Sequence, residues 1–191
     1  MTTLAHALYS RSFPRTSAWL RDLLLIVAGV LLLAALAQIE IVLPFTPVPL
    51  TGQTFGVLLI GAALGSRRGA ASILAYITAG ALGLPFFAGA GSGLRILTGA
   101  TAGYLIGFVV AAYVVGTLSE RGLERQMRTS LLPFFAGTLI IYACGVAWLS
   151  ILVGSLSKAI ALGIVPFLAG DALKLVAAAL ALPAAWRLVR E

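Results

Sequence analysis

Histidine and cysteine occur once each in this sequence, as His6 and Cys144, and lysine only twice, as Lys158 and Lys174. A single histidine near the N-terminus excludes histidine metal clusters and histidine-based triads within the body of the chain. A single cysteine closes no internal disulfide, so nothing here depends on an oxidising compartment. Neither lysine follows a glycine and no G-x-x-x-x-G-K-[ST] is present, which excludes a P-loop of the chain's own. H-E-x-x-H and G-x-S-x-G are also absent, so metalloprotease and serine-hydrolase chemistry has little to work with. The largest lack is charge. Only 10% of the 191 residues are charged, against about 25% in a soluble domain.

What fills the chain instead is apolar. Hydrophobic residues make up 61% of it, and the mean hydropathy is +1.08. Such a chain cannot cover itself with a water-compatible surface and is expected in a lipid bilayer. The net charge of +7 does not point to nucleic acid, because the basic residues stand in short clusters between apolar runs. Those runs are Asp22–Gln38, Gln53–Gly65, Gly69–Leu84, Gly99–Leu118, Leu131–Val153 and Ile164–Val189. Ser66, Arg67 and Arg68 alone separate the second from the third, which predicts a tight helical hairpin. The expectation is an all-α integral membrane protein, a six-helix transmembrane bundle formed as a single domain over residues 1–191. Ten of the thirteen Lys and Arg residues then fall on one side. The positive-inside rule makes that side cytoplasmic, with both termini and the tail over residues 1–18. Arg95, Lys158 and Lys174 are the exceptions and need another explanation.

Three shorter patterns bear on how the chain is organised. Ala35-Leu36-Ala37 has the form of a signal-peptide cleavage site, but the long polar segment before the run favours a retained first helix. Pro85-Phe86-Phe87-Ala88-Gly89, Pro133-Phe134-Phe135-Ala136-Gly137 and Pro166-Phe167-Leu168-Ala169-Gly170 look alike, yet fall at non-equivalent places in their spans, so they are not read as a duplication. Ala71, Ala75 and Ala79 form one small-residue stripe, and Gly103, Gly107 and Ala111 another. Such stripes let helix backbones approach closely in lipid, within the chain or against a second membrane protein.

The polar residues gather at the side opposite the arginines. Between the first two runs stands Glu40 to Thr54, where Pro44, Pro47 and Pro49 bar a helix and favour a stiff extended loop. Its hydroxyl and amide groups, Thr51 and Gln53 among them, suit a small polar ligand, although an ordinary connector would look the same. The glycine-rich stretch over residues 83–105 carries Phe86 and Phe87 as flat apolar walls and Arg95 as a positive charge. Tyr142 and Trp148 can line a cavity or pack in the core. Most telling is VPFLAGDALKLVAAALAL, residues 165–182, which holds Asp171 and Lys174 within an apolar span. Charge at such depth costs on the order of 2.5–3.5 kcal/mol and is functional by default. Three residues apart, the two share a helical face, so they can pair with each other as a structural ion pair or with a ligand.

LPFTPVPLTGQTFGVLLIGAALGSRRGA resembles the signature of the BioY family, the biotin-specific substrate-binding (S) subunits of energy-coupling-factor (ECF) transporters. The resemblance continues through YITAGALGLPFFAGAGSGLRILTGATAGYLIGF, the ERG segment, YACGVAWL and PFLAGDALK, from about residue 36 to residue 180. One stretch departs from it: Gly99-Ala100-Thr101-Ala102-Gly103-Tyr104-Leu105 stands where the family usually reads GPTGGYL. The resemblance implies a six-helix bundle in the cytoplasmic membrane that takes biotin from outside into a pocket near its outer face. It implies transport powered by a transmembrane coupling protein of the EcfT or BioN type and by two ABC ATPases of the EcfA or BioM type. That agrees with the missing P-loop. No cofactor, catalytic residue or metal is expected. The ligand contacts it points to are Asp171, Lys174, Arg95, Gln53, Thr51, Phe87, Tyr104 and Tyr142. An ionised aspartate accepts and so matches the ureido N–H groups of biotin, whereas lysine or arginine donates and matches a carboxylate or carbonyl. An S subunit for another vitamin, or an intramembrane enzyme using Asp171 as a base, remain the alternatives.

Overall fold

The computed structural model describes residues 3–5, 17–126 and 129–190. The tail read over residues 1–18, with Arg11 and Arg15, lies almost wholly outside them, as does Arg128. Helix α1 spans Ala18–Ala37 and starts at Ser17, whose hydroxyl accepts the Leu20 N–H at 3.4 Å. The proline-rich connector then forms a minimal antiparallel hairpin, β1 Glu40–Ile41 against β2 Leu50–Thr51, in the register Glu40 to Thr51. Next come helices α2, Gln53–Leu64, and α3, Ser66–Ala81. A loop with two 3-10 turns, Ala88–Ala90 and Leu94–Thr98, leads to α4, Ala102–Glu120. The 3-10 turn Leu123–Arg125 joins α4 to α5, Leu131–Val153. The chain ends in α6, Leu156–Gly163, a 3-10 turn at Val165–Phe167, and α7, Leu168–Arg190.

Among the described residues, four helical stretches are long and apolar enough to cross a membrane: Ala18–Ala37, Ala102–Glu120, Leu131–Val153 and Leu156–Trp186. Helices α2 and α3, of 12 and 16 residues, fall below the about 20 residues that a full crossing takes. The hairpin between them is tighter than the sequence suggests. Ser66, Arg67 and Arg68 belong to the first turn of α3, and the break is Gly65 alone, whose φ of 87° suits glycine. Glu120, ending α4, accepts from the Ser66 N–H at 2.8 Å and so sits at the positive end of the α3 dipole. Arg68 meets Asp22 at 3.1 Å.

The last apolar run, Ile164–Val189, forms α7 after a 3-10 turn. An extra short helix, α6, precedes it. Gly154 ends α5 in the left-handed region at φ 69°, and Ser155 accepts from the Lys158 N–H at 3.4 Å to start α6. Pro166, which lacks an N–H, then enforces the 3-10 turn before α7.

The Gly103–Gly107–Ala111 stripe is buried and packs within the chain. A Cβ on Gly107 would stand 3.1 Å from Cys144 Cβ and from Ile141 Cα, so α4 and α5 meet nearly backbone to backbone. The stripe at Ala71, Ala75 and Ala79 is only half-buried. Tyr76 and Phe134 are fully buried at the centre of the apolar core.

Candidate functional site

The N-terminal ends of α2, α4 and α7 converge, and with the hairpin and the 87–96 loop they enclose a cavity of about 210 Å³. Its polar floor is built by α7. Asp171 lies in the first turn of that helix, where the helix dipole favours an acid, and is only 6% exposed. It accepts from the Tyr142 hydroxyl of α5 at 2.7 Å, the Thr54 hydroxyl of α2 at 3.1 Å and the Lys174 ammonium at 2.8 Å. Lys174 also donates to the Thr51 carbonyl at 2.7 Å and to Thr54 Oγ1 at 3.1 Å. An ammonium has three hydrogens, and all three are engaged. Thus four elements, β2, α2, α5 and α7, are tied by one ion pair and its hydrogen bonds.

A second network holds the apolar wall. Gln53 is buried. Its Oε1 accepts from the Thr51 hydroxyl at 3.1 Å, and its Nε2 donates to the Tyr76 hydroxyl at 2.8 Å. Tyr76 in turn donates to the Phe86 carbonyl at 3.1 Å, and its ring meets Phe87 edge to face at 5.6 Å. Gln38 secures the same loop: its Nε2 donates to the Phe86 and Phe87 carbonyls, and its Oε1 accepts from the Ala90 N–H at 3.0 Å. Phe87 is thereby fixed as a buried wall of the cavity. Tyr104 adds a face from α4, its hydroxyl anchored on the Gly163 carbonyl at 2.8 Å.

Of the eight candidate contacts read from the sequence, Thr51, Gln53, Phe87, Tyr104, Tyr142, Asp171 and Lys174 line this one cavity. Arg95 does not line it; it is exposed on the Leu94–Thr98 turn. Trp148 is also absent from the lining and donates to the Gly99 carbonyl at 2.9 Å, tying α5 to the loop before α4. Sequence reasoning missed Glu40, Thr54, Thr101, Phe108 and Phe167, which line the cavity as well. Thr54 was signalled by its place beside Gln53. The phenylalanines give no such signal, because an aromatic in an apolar run reads as core. Among the described residues no group of three or more His, Cys, Asp or Glu could hold a metal ion.

Fold and cavity define a helical membrane protein with a small cavity, polar on its floor and apolar on its walls. The chain belongs to the BioY family, whose profile matches residues 6–191. It is 41% identical over 156 residues to the biotin transporter BioY of Thermotoga maritima, covering 82% of this chain and 91% of that one. It is 38% identical over 169 residues to the biotin transporter BioY of Rhizobium etli, covering 84% and 90%. Its fold matches a crystal structure of the S-component for biotin from an ECF-type ABC transporter, with a TM-score of 0.77 at 22% identity over 92% of this chain and 95% of that one.

Proposed function

We propose that this chain is the biotin-capturing S subunit of an ECF-type transporter in the cytoplasmic membrane. The observation that carries this reading is the cavity: a buried carboxylate and ammonium on its floor, amide and hydroxyl groups beside them, and aromatic walls from Phe87, Tyr104 and Phe108. Biotin matches that pattern with a fused apolar ring system bearing two N–H donors and one carbonyl acceptor. A carboxylate offers about four acceptor positions. Three on Asp171 are filled, which leaves one for a ureido N–H. Gln53 uses one amide hydrogen on Tyr76 and keeps the other for the ureido carbonyl. Burial of the bicyclic ring against the aromatic walls supplies the apolar share of the affinity.

The bundle is proposed to span the bilayer six times, with both termini cytoplasmic and the cavity toward the outer face. The contacts Arg68–Asp22, Ser66–Glu120 and Trp186–Glu124 gather at one end of the helices, among the arginine clusters. The cavity lies where α2, α4 and α7 begin, at the opposite end. The partners proposed are a transmembrane coupling protein and ABC ATPases.

The test is a biotin titration of the purified full chain in detergent, with and without Asp171→Asn. The wild type is expected to bind. The variant removes a charge-assisted acceptor, a change of about 1.5–3 kcal/mol, so affinity should fall roughly ten- to a hundredfold. A wild-type chain that ignores biotin and binds another vitamin would reassign the substrate.

A further inference from the structure

One segment that precedes α1 is tucked into the bundle at its arginine-rich end. Thr3 and Leu4 are buried, and Ala5 is half-buried. Thr3 reaches the corner where α2 turns into α3. The point a Cβ on Gly65 would occupy lies 2.8 Å from Thr3 Cγ2 and 2.5 Å from Glu120 Oε1. Leu4 continues into a groove between α1, α2 and α7, whose walls include Leu25, Ala28, Leu32, Ala63 and Ala185. This groove shares no residue with the ligand cavity.

The groove has the makings of a helix-packing surface. Leu25, Ala28 and Leu32 lie on one face of α1. Ala28 and Leu32 are exposed, and Ala63 and Ala185 are half-buried. Small side chains on such a face permit close approach of a second helix in lipid. Every lining residue except Leu4 comes from α1, α2 or α7, so Leu4 enters the groove as a separate side chain. About 290 Å³ stays open beside it, so the segment stops one end of the groove without filling it.

We infer that the segment Thr3–Ala5 caps the docking groove of the coupling protein: it is seated in the free subunit and displaced when a helix of that partner packs against α1. The inference rests on the partnership proposed above. Leu4 and a partner helix compete for the same end of the groove, so each weakens the other by the same factor. Covalent attachment keeps Leu4 close at an effective concentration on the order of millimolar, which lets one leucine compete. A segment seated about nine-tenths of the time leaves about one-tenth of the subunits competent and raises the partner's apparent Kd about tenfold. The ligand cavity lies at the other end of the bundle, so biotin binding stands outside this competition.

The experiment titrates the full chain in detergent with a purified complex of a BioN-type coupling protein and its ATPases. Leu4→Asp should tighten binding of the complex roughly tenfold and leave the biotin titration unchanged. Leu4→Met keeps an apolar side chain in the groove and should behave as the wild type does. A second readout needs no change of affinity. In a Cys144→Ala chain, a Leu4→Cys thiol should react with maleimide more slowly than a Gln126→Cys thiol, and several-fold faster once the complex is added. A Leu4→Asp chain that folds yet binds the complex no more tightly than the wild type overturns the inference and leaves the partnership intact. So does a Leu4→Cys thiol whose reactivity the complex fails to raise, and that measurement decides alone if Leu4→Asp loses folded yield. A wild-type chain that binds biotin but recruits no complex overturns the partnership reading, and this inference with it.

Discussion

Lys174 uses its whole donor capacity inside the protein, on Thr51, Thr54 and Asp171. Any ligand group that approaches it must replace one of these partners, most readily the Thr54 hydroxyl at 3.1 Å. The pair therefore fastens the hairpin and α2 to α7 before it serves a ligand. Lys174→Met removes the ammonium and leaves a buried, unpaired carboxylate. A fully buried broken pair costs about 3–5 kcal/mol, and this one costs less because the Lys174 side chain keeps 21% of its exposure. The single variant should lose folded yield. Adding Asp171→Asn removes the stranded charge and should restore yield while biotin binding stays weak, as read by size-exclusion recovery beside ligand titration. A double variant that binds biotin like the wild type would reduce the pair to a structural role. Much of this was legible from residues alone: an acid and a base three apart in an apolar span stand out from their surroundings. Glu40 did not stand out, because the proline-rich connector gave no reason to aim one carboxylate at Gly89. Arg95 was legible as an unexplained charge, but its exposed place on a 3-10 turn depends on loop geometry that no periodicity encodes.

Whole elements were readable where hydropathy changes sharply and less so where breaks are single residues. Helix α5, Leu131–Val153, coincides with its apolar run because Ser130 and Gly154 bound it on both sides. The α2–α3 break was misplaced by a few residues, since arginines suggest a loop whereas Gly65 makes the turn and Glu120 caps the start of α3. At the same end of the bundle, the Leu123–Arg125 turn docks on α7 through a buried Glu124. Trp186 Nε1 donates to Glu124 Oε1 at 2.9 Å, and the Arg125 guanidinium lies 4.4 Å from the Trp186 ring centroid. Burial pushes the Glu124 carboxyl above the usual value of 4.5, opposed by the Arg125 charge and the Trp186 hydrogen bond. A carboxyl whose folded pKa is raised contributes stability that is complete below its unfolded pKa and is lost as pH rises through the folded one. The docked turn should therefore tighten as pH falls toward 4.5, seen as higher amide protection factors, the intrinsic exchange rate at each pH divided by the observed one, over residues 120–126. Glu124→Gln keeps an acceptor for Trp186 without charge, so protection factors there should become nearly independent of pH. An unchanged pH profile in that variant would assign the dependence to another group.

At the scale of the whole molecule, orientation and partnership decide whether a binding cavity becomes a transporter. The proposed orientation puts the loop between α4 and α5 in the cytoplasm, and its exposed Gln126 is the position to probe, because Ser119 and Ser130 are buried. With Cys144 replaced by alanine, a Gln126→Cys chain should resist membrane-impermeant thiol reagents in intact cells and react after permeabilisation; ready labelling from outside would invert the bundle. On the proposed partnership, accumulation of biotin against a gradient is powered by ATP hydrolysed on other chains, in keeping with the lack of a P-loop motif here. The proposed membrane coupling protein would touch the bundle along its lipid-facing side. Helix α1 leaves much of its surface outside the core: Ala28 and Ala35 are exposed, while Ala34 faces inward and Gly29 packs on Ser72. Ala28 also lies in a shallow apolar groove with Leu25, Ala63 and Ala185, where small side chains permit close helix approach. Replacing Ala28 and Ala35 with leucine adds bulk outside the fold, whereas Ala34→Leu would strain the core. The double variant should bind biotin as the wild type does, yet recover less coupling protein in co-purification and support less ATP-dependent uptake in vesicles. Full recovery of the complex would move the docking face to another helix, and loss of ligand binding together with the complex would mean that α1 supports the cavity rather than the partner.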